Sequence, residues 1–156
     1  MTGSPARPRV FLAGVIQGSL RESRMHPQDW RRDVTASLER HLPGAEVVDH
    51  VARHPGALSY DLARIHETLE EGFQEARQAD LVVAWLPEAS MGTAIEICEA
   101  RRAGVPVVAI TPLSVNWVVR AFADAILPDL VAFDTFSAQG GLGRLLGSRN
   151  RPPRPG

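Results

Sequence analysis

Cysteine occurs once, as Cys98, so no internal disulfide can staple the fold and no cysteine pair is present to hold a structural zinc. No apolar run reaches the length of a membrane span or of a signal-peptide core. Charge of one sign is missing too. Seventeen basic residues against eighteen acidic ones leave a net charge of -1, without a global pull toward nucleic acid or an anionic membrane. Internal repeats and low-complexity segments are absent between the two tails. These absences predict a cytoplasmic protein that uses no metal or cofactor and whose partner is a small molecule.

What is present is ordinary for a globular domain. The chain has 156 residues, 44% of them apolar and 22% charged, enough for one domain with its own core. That domain is predicted over residues 9–147. Met1 to Pro8 is small, polar and proline-containing, and Ser148 to Gly156 reads SRNRPPRPG. Both ends are expected to be disordered.

Short β-rich apolar runs alternate with longer segments of helical period, the pattern of βαβ units. The runs are Arg9 to Ala13, Glu46 to Asp49, Leu81 to Leu86, Pro106 to Thr111 and Leu130 to Phe133. Helical spacing appears from Pro27 through Trp30, Val34, Leu38 and Leu42, with Pro27 in the first turn. It recurs over about Ser59 to Ala79 through Leu62, Ile65, Leu69, Phe73 and Ala76. Further helices are predicted over Gly92 to Ala103, from Pro112 through Ala125, and over Ser137 to Leu146. The expected fold is α/β: a doubly wound, flavodoxin- or Rossmann-like layer with a five-stranded parallel sheet and helices on both faces.

Open parallel sheets bind ligands beyond the carboxyl ends of their strands, which directs attention to the loops there. In AGVIQGS, Ala13 to Ser19, Gly14 and Gly18 let backbone amides approach an anion and Ser19 adds a hydroxyl, with Ile16 and Gln17 between them. The segment is neither GxGxxG nor a Walker loop, and a plain strand-to-helix turn explains it equally well. In EASMGTAIE, Ser90, Met91 and Gly92 open a helix whose free N–H groups favour an anion, with Glu96 one turn further in. By spacing alone, Thr93 to Glu96 reads as a capping box, and Glu99 is a competing helical carboxylate. Asn116 and Trp117 offer an amide and a stacking surface after the fourth strand, or else an N-cap and a core or interface tryptophan. His50 and His54 have a spacing that invites zinc, but no cysteine pair or HExxH accompanies them, so they read as loop histidines. No GxSxG elbow supports a serine hydrolase.

Taken together, FLAGVIQGS, EVVDHVA, IHE and ADLVVAWLPEASMGTAIEICEA resemble the nucleoside 2-deoxyribosyltransferase superfamily, and within it the 2'-deoxynucleoside 5'-monophosphate N-glycosidases, over roughly Arg9 to Phe133. The resemblance implies that Glu96 is a nucleophile attacking C1' of a nucleoside or nucleoside 5'-monophosphate. The resulting glycosyl ester would pass to water or to a second base. It also implies a phosphate cradle at Gly14 to Ser19 and Ser90, and a homodimer with a shared active site. Asp49, His50 and Tyr60 are candidates, by loop position, for assisting the departing base.

Three positions depart from the family pattern. Phe11 stands where members carry a tyrosine, Gly72 where many carry an aspartate, and Gln17 where an arginine is common, with Arg21 and Arg24 nearby. A nucleotide sensor without turnover is the alternative these departures suggest. A phosphoribohydrolase of the cytokinin-activating type is a further one, although PEASMG, Pro87 to Gly92, departs from its PGGxGT loop.

Overall fold

The computed structural model describes residues 7–148. Of the two predicted disordered ends, Arg7, Pro8 and Ser148 are placed, and the rest lies outside the described residues. Pro8 accepts a backbone hydrogen bond from Glu46, and Ser148 donates its hydroxyl to the Leu145 carbonyl.

Five strands, β1 (Arg9–Gly14), β2 (Glu46–Val48), β3 (Leu81–Trp85), β4 (Val107–Ile110) and β5 (Ala125–Leu127), form one parallel sheet in the order β2-β1-β3-β4-β5. The order reverses direction between β1 and β3, which is where a doubly wound sheet opens a crevice. Alternation along the strands divides the core. Phe11, Ala13, Val82, Ala84 and Val107 face one side, against Ala76 of α2 (Leu62–Gln78), Ile97 and Ala100 of α3 (Met91–Arg102) and Val119 of α4 (Trp117–Phe122). Val10, Leu12, Val83 and Ile110 face the other, against Val34 and Leu38 of α1 (Trp30–His41), Phe133 of α5 (Leu130–Ala138) and Leu142 of α6 (Gly141–Gly147). The doubly wound α/β fold is therefore as expected.

Several predicted boundaries are corrected. The run at Leu130 to Phe133 is not the fifth strand but the start of α5, because Asp129 accepts the Ala132 N–H at 2.8 Å and caps a helix there. The edge of β4 is taken instead by Ala125–Leu127, which begins at the last residue of the helix predicted from Pro112. A short apolar run has no period of its own, so the cap decides. Two helices, α5 and α6, replace the single one predicted at the carboxyl end. At the amino end, α1 begins at Trp30 rather than at Pro27, since the Gln28 side chain is committed to the preceding loop through the Val15 and His26 carbonyls.

The apolar stripe of α2 is only partly used in this chain. Gly72 and Ala76 are buried, but Ile65 and Leu69 remain exposed and Leu62 is 81% exposed. Between β2 and α2, residues 49–61 contain only two 3₁₀ turns, Val51–Arg53 and Ala57–Ser59.

Candidate active site

The site is organised by the amino-terminal half of α3. Its N-cap is Ser90, whose hydroxyl accepts from the Thr93 N–H at 3.4 Å and from the Thr93 hydroxyl at 3.0 Å. The predicted capping box from Thr93 to Glu96 does not form, because the helix starts two residues before Thr93 and Glu96 lies well inside it. Thr93, Ile97 and Ala100 are the buried stripe of α3. Glu96 lies next to that stripe, half-buried and turned toward α2. Glu99, the competing carboxylate, is instead committed to Arg77 at 2.7 Å and Arg102 at 3.5 Å.

Glu96 has no hydrogen-bond partner for its carboxyl among the described residues. Phe11, at the position where the resembled family carries a tyrosine, is fully buried in the core and offers no donor. Burial pushes the Glu96 carboxyl up to about 8, with Arg31 as the opposing cation. Arg31 is the residue that sequence reasoning missed. It sits in an unremarkable amphipathic helix, yet its guanidinium is buried, donating to Asp49 Oδ1 at 2.9 Å, to the Leu12 carbonyl at 3.3 Å and to Gln28 Oε1 at 2.9 Å. It also lies over the Trp30 ring at 4.5 Å. Burial lowers its pKa, and Asp49 and Glu96 oppose that shift.

Asp49 is accordingly the counter-ion of Arg31 and also accepts from the Ala52 N–H at 3.2 Å. Tyr60 places its hydroxyl 3.1 Å from His54 Nδ1. His50 does reach the centre: a β-carbon on Gly72 would lie 3.4 Å from Glu96 Oε1 and 3.4 Å from His50 Cδ2, so Gly72 is the common neighbour of both side chains. His50 Nε2 donates to the Thr68 carbonyl at 2.9 Å.

The first loop is organised differently from the expected cradle. Gly14 is required by packing, since any β-carbon there would collide with the Trp30 indole. Gly18 has a left-handed φ of 56° and turns the Ser19 amide inward, but the anion it meets belongs to the chain itself. Glu88 Oε1 accepts from Ser19 N at 3.0 Å and Ser19 Oγ at 3.2 Å, and lies 2.9 Å from His26 Nε2. The Ser19 amide is the main cause of the lowered Glu88 pKa. Ile16 gives its carbonyl to the His26 N–H, and Gln17 is exposed. Arg21 is exposed, and Arg24 pairs with Glu22. Met91 is exposed, Gly92 is half-buried, and Asn116 accepts from the Val118 and Val119 N–H groups as the N-cap of α4.

No family model matches the chain, and no curated protein matches its sequence. Solved structures do. A 2-deoxyribosyltransferase from the psychrotolerant bacterium Bacillus psychrosaccharolyticus is 14% identical, with a TM-score of 0.59 over 81% of this chain and 90% of that one. The solution structure of BlsM is 22% identical, with a TM-score of 0.68 over 98% of this chain and 100% of that one. The chain shares their fold. The Clostridium botulinum CMP N-glycosidase BcmB is 16% identical, with a TM-score of 0.50 over 86% of this chain and 98% of that one.

Proposed function

We propose that the protein cleaves the N-glycosidic bond of a nucleoside or nucleoside 5'-monophosphate, with Glu96 as the nucleophile at C1'. The observation that carries this reading is the state of Glu96. It is a desolvated carboxyl inside the helix that follows β3 and, among the described residues, it has no hydrogen bond of its own and a buried guanidinium as its counter-charge. A carboxylate committed to a cap or a surface ion pair is a poor nucleophile, and Glu96 is committed to neither. The fold shared with a 2-deoxyribosyltransferase and a CMP N-glycosidase supports the same chemistry.

In this mechanism Glu96 loses its proton to solvent and attacks the anomeric carbon; the C1'–N bond breaks, the base leaves with the bonding pair and takes up a proton, and the glycosyl ester so formed is resolved by water or a second base. Arg31 favours the ionised form of Glu96. Of the groups considered for the departing base, His50 borders Gly72 as Glu96 does, and with its Nε2 proton held by the Thr68 carbonyl it serves to position rather than to protonate; Asp49 and Tyr60 contact Arg31 and His54. A homodimer sharing the site belongs to the same proposal, with the 86% exposed Trp117 and the 84% exposed Met91 as apolar groups that an interface would cover. Light scattering that finds a monomer at micromolar concentration removes the dimer.

Free-base release from a panel of nucleosides and their 5'-monophosphates tests the reading, with wild type beside Glu96→Gln. Release by wild type and a loss of roughly 1,000-fold or more in the variant are expected. Binding of a panel member without release by either protein overturns catalysis and leaves the nucleotide-sensor reading.

A further inference from the structure

Residues 49–61 form a long connection with little regular structure, yet two histidines in it are almost completely buried. His50 is 8% and His54 6% exposed. Both rings face α2, their centroids 4.5 Å apart. Opposite them, Glu71 and Glu75 stand one turn apart on the same face of α2. His54 Nε2 is 3.4 Å from Glu71 Oε2, and His50 Nδ1 is 3.6 Å from Glu75 Oε2. One ligand atom from each of His50, His54 and Glu71 lies within 4.8 Å of the others.

The decisive detail is the tautomer of His50. A carbonyl only accepts, so the Nε2 contact with Thr68 O fixes the proton on Nε2 and leaves a lone pair on Nδ1 of the neutral ring. That nitrogen is buried without a hydrogen-bond partner, and so is the Glu75 oxygen it faces. Two acceptors that face one another out of water call for a positive charge between them, a proton on Nδ1 or a bound cation, and Arg53, on the outer Glu75 oxygen, does not stand between them. A ring nitrogen donating to a backbone carbonyl while the other is left bare is also the arrangement that orients a metal-ligating histidine. Arg53 and Arg64 touch the outer carboxylate oxygens, Arg53 on Glu75 Oε1 and Arg64 3.6 Å from Glu71 Oε1, leaving the inner ones toward the histidines.

We propose that His50, His54 and Glu71, with Glu75 beside them, form a binding site for a divalent transition cation of the zinc class, which fastens the β2-to-α2 connection onto α2. Two imidazoles and a carboxylate suit zinc, which takes four ligands and tolerates small adjustments of side chains. Isolated surface carboxylates do not provide this; the buried imidazole lone pair does. The site includes His50, which borders Gly72 as Glu96 does, so the cation would hold the His50 ring in place near Glu96. Spacing alone did not reveal the site, because the carboxylates come from a helix some twenty residues further on.

The test uses the full chain, dialysed against chelator, then titrated with Zn²⁺ by calorimetry and with Co²⁺ by visible absorption, beside Glu71→Gln and His54→Asn. Glu71 is half-exposed, so its variant is expected to fold, and circular dichroism checks this. The expected result is one equivalent bound with a Kd of about 1 μM or tighter. Cobalt d–d bands of tetrahedral or five-coordinate type should appear, and affinity should fall by about 10-fold or more in Glu71→Gln. Stoichiometric binding that Glu71→Gln and His54→Asn leave unchanged would place the cation elsewhere and overturn the proposal. So would wild type that binds neither ion below about 100 μM. These readouts do not depend on turnover, so they stand or fall apart from the glycosidase reading.

Discussion

Gly72 of α2 and Glu96 of α3 face one another so closely that a β-carbon at position 72 would lie 3.4 Å from Glu96 Oε1. That is ordinary contact distance, so Gly72→Ala fits without moving Glu96 and removes a glycine from the middle of a seventeen-residue helix. A gain of about 0.5–1 kcal/mol in urea unfolding is expected, with activity retained. Gly72→Asp instead sets a second carboxyl against Glu96 and should raise the Glu96 pKa further. Unchanged pH dependence in Gly72→Asp would show that the two positions do not face one another.

The pH dependence of catalysis follows from the Glu96 pKa of about 8. A nucleophile must be ionised, so kcat/KM for free-base release should rise with pH up to about 8 and then level. A limb that falls through the same region would instead assign Glu96 as a proton donor.

Stability should run the opposite way. The Glu96 pKa is raised on folding, so its contribution is full below the unfolded-state value near 4.5 and is lost as pH rises through about 8. Glu96→Gln carries no charge to bury. It should melt higher than wild type at pH 9 by roughly 2–6 °C, for a gain of about 1–2 kcal/mol, with little difference at pH 5. Equal melting temperatures at pH 9 would mean that the ionised carboxylate is well solvated in the fold.

Arg31 holds Asp49 and opposes the protonation of Glu96. Arg31→Gln should cost roughly 2–5 kcal/mol, because Asp49 loses its buried partner. It should also move the rising limb of the pH–rate profile to higher pH, the signature that separates positioning of Glu96 from a purely structural role.

Glu88 fills the anion cradle made by Ser19. Glu88→Gln removes the charge that would repel a phosphate, and the ratio of kcat/KM for a nucleoside 5'-monophosphate to that for its nucleoside should rise by about 10-fold, the equivalent of 1.4 kcal/mol. An unchanged ratio would put any phosphate outside this loop.

The alternation of apolar runs with helical stripes determined the α/β class, and it did so because strand and helix periods are local properties of the chain. The carboxyl end was less legible. Ala125–Leu127 and Leu130–Ala138 are both short and apolar, and it took the Asp129 cap and the free edge of β4 to decide which became strand and which became helix. Glu96 could be picked out from its motif, yet its spacing suggested a cap that the actual helix start at Met91 does not allow.

What surrounds Glu96 was decided only by tertiary structure. Arg31 lies some sixty-five residues earlier on an ordinary amphipathic helix, and nothing local distinguishes it from Arg32 beside it. Only packing of α1 against β1 buries one guanidinium and leaves the other in solvent. The same holds for Glu88 in the Ser19 cradle and for Glu71 and Glu75 opposite His54 and His50. Their partners are distant in sequence, and the contacts and burial that set a charged residue's surroundings are properties of the packed chain.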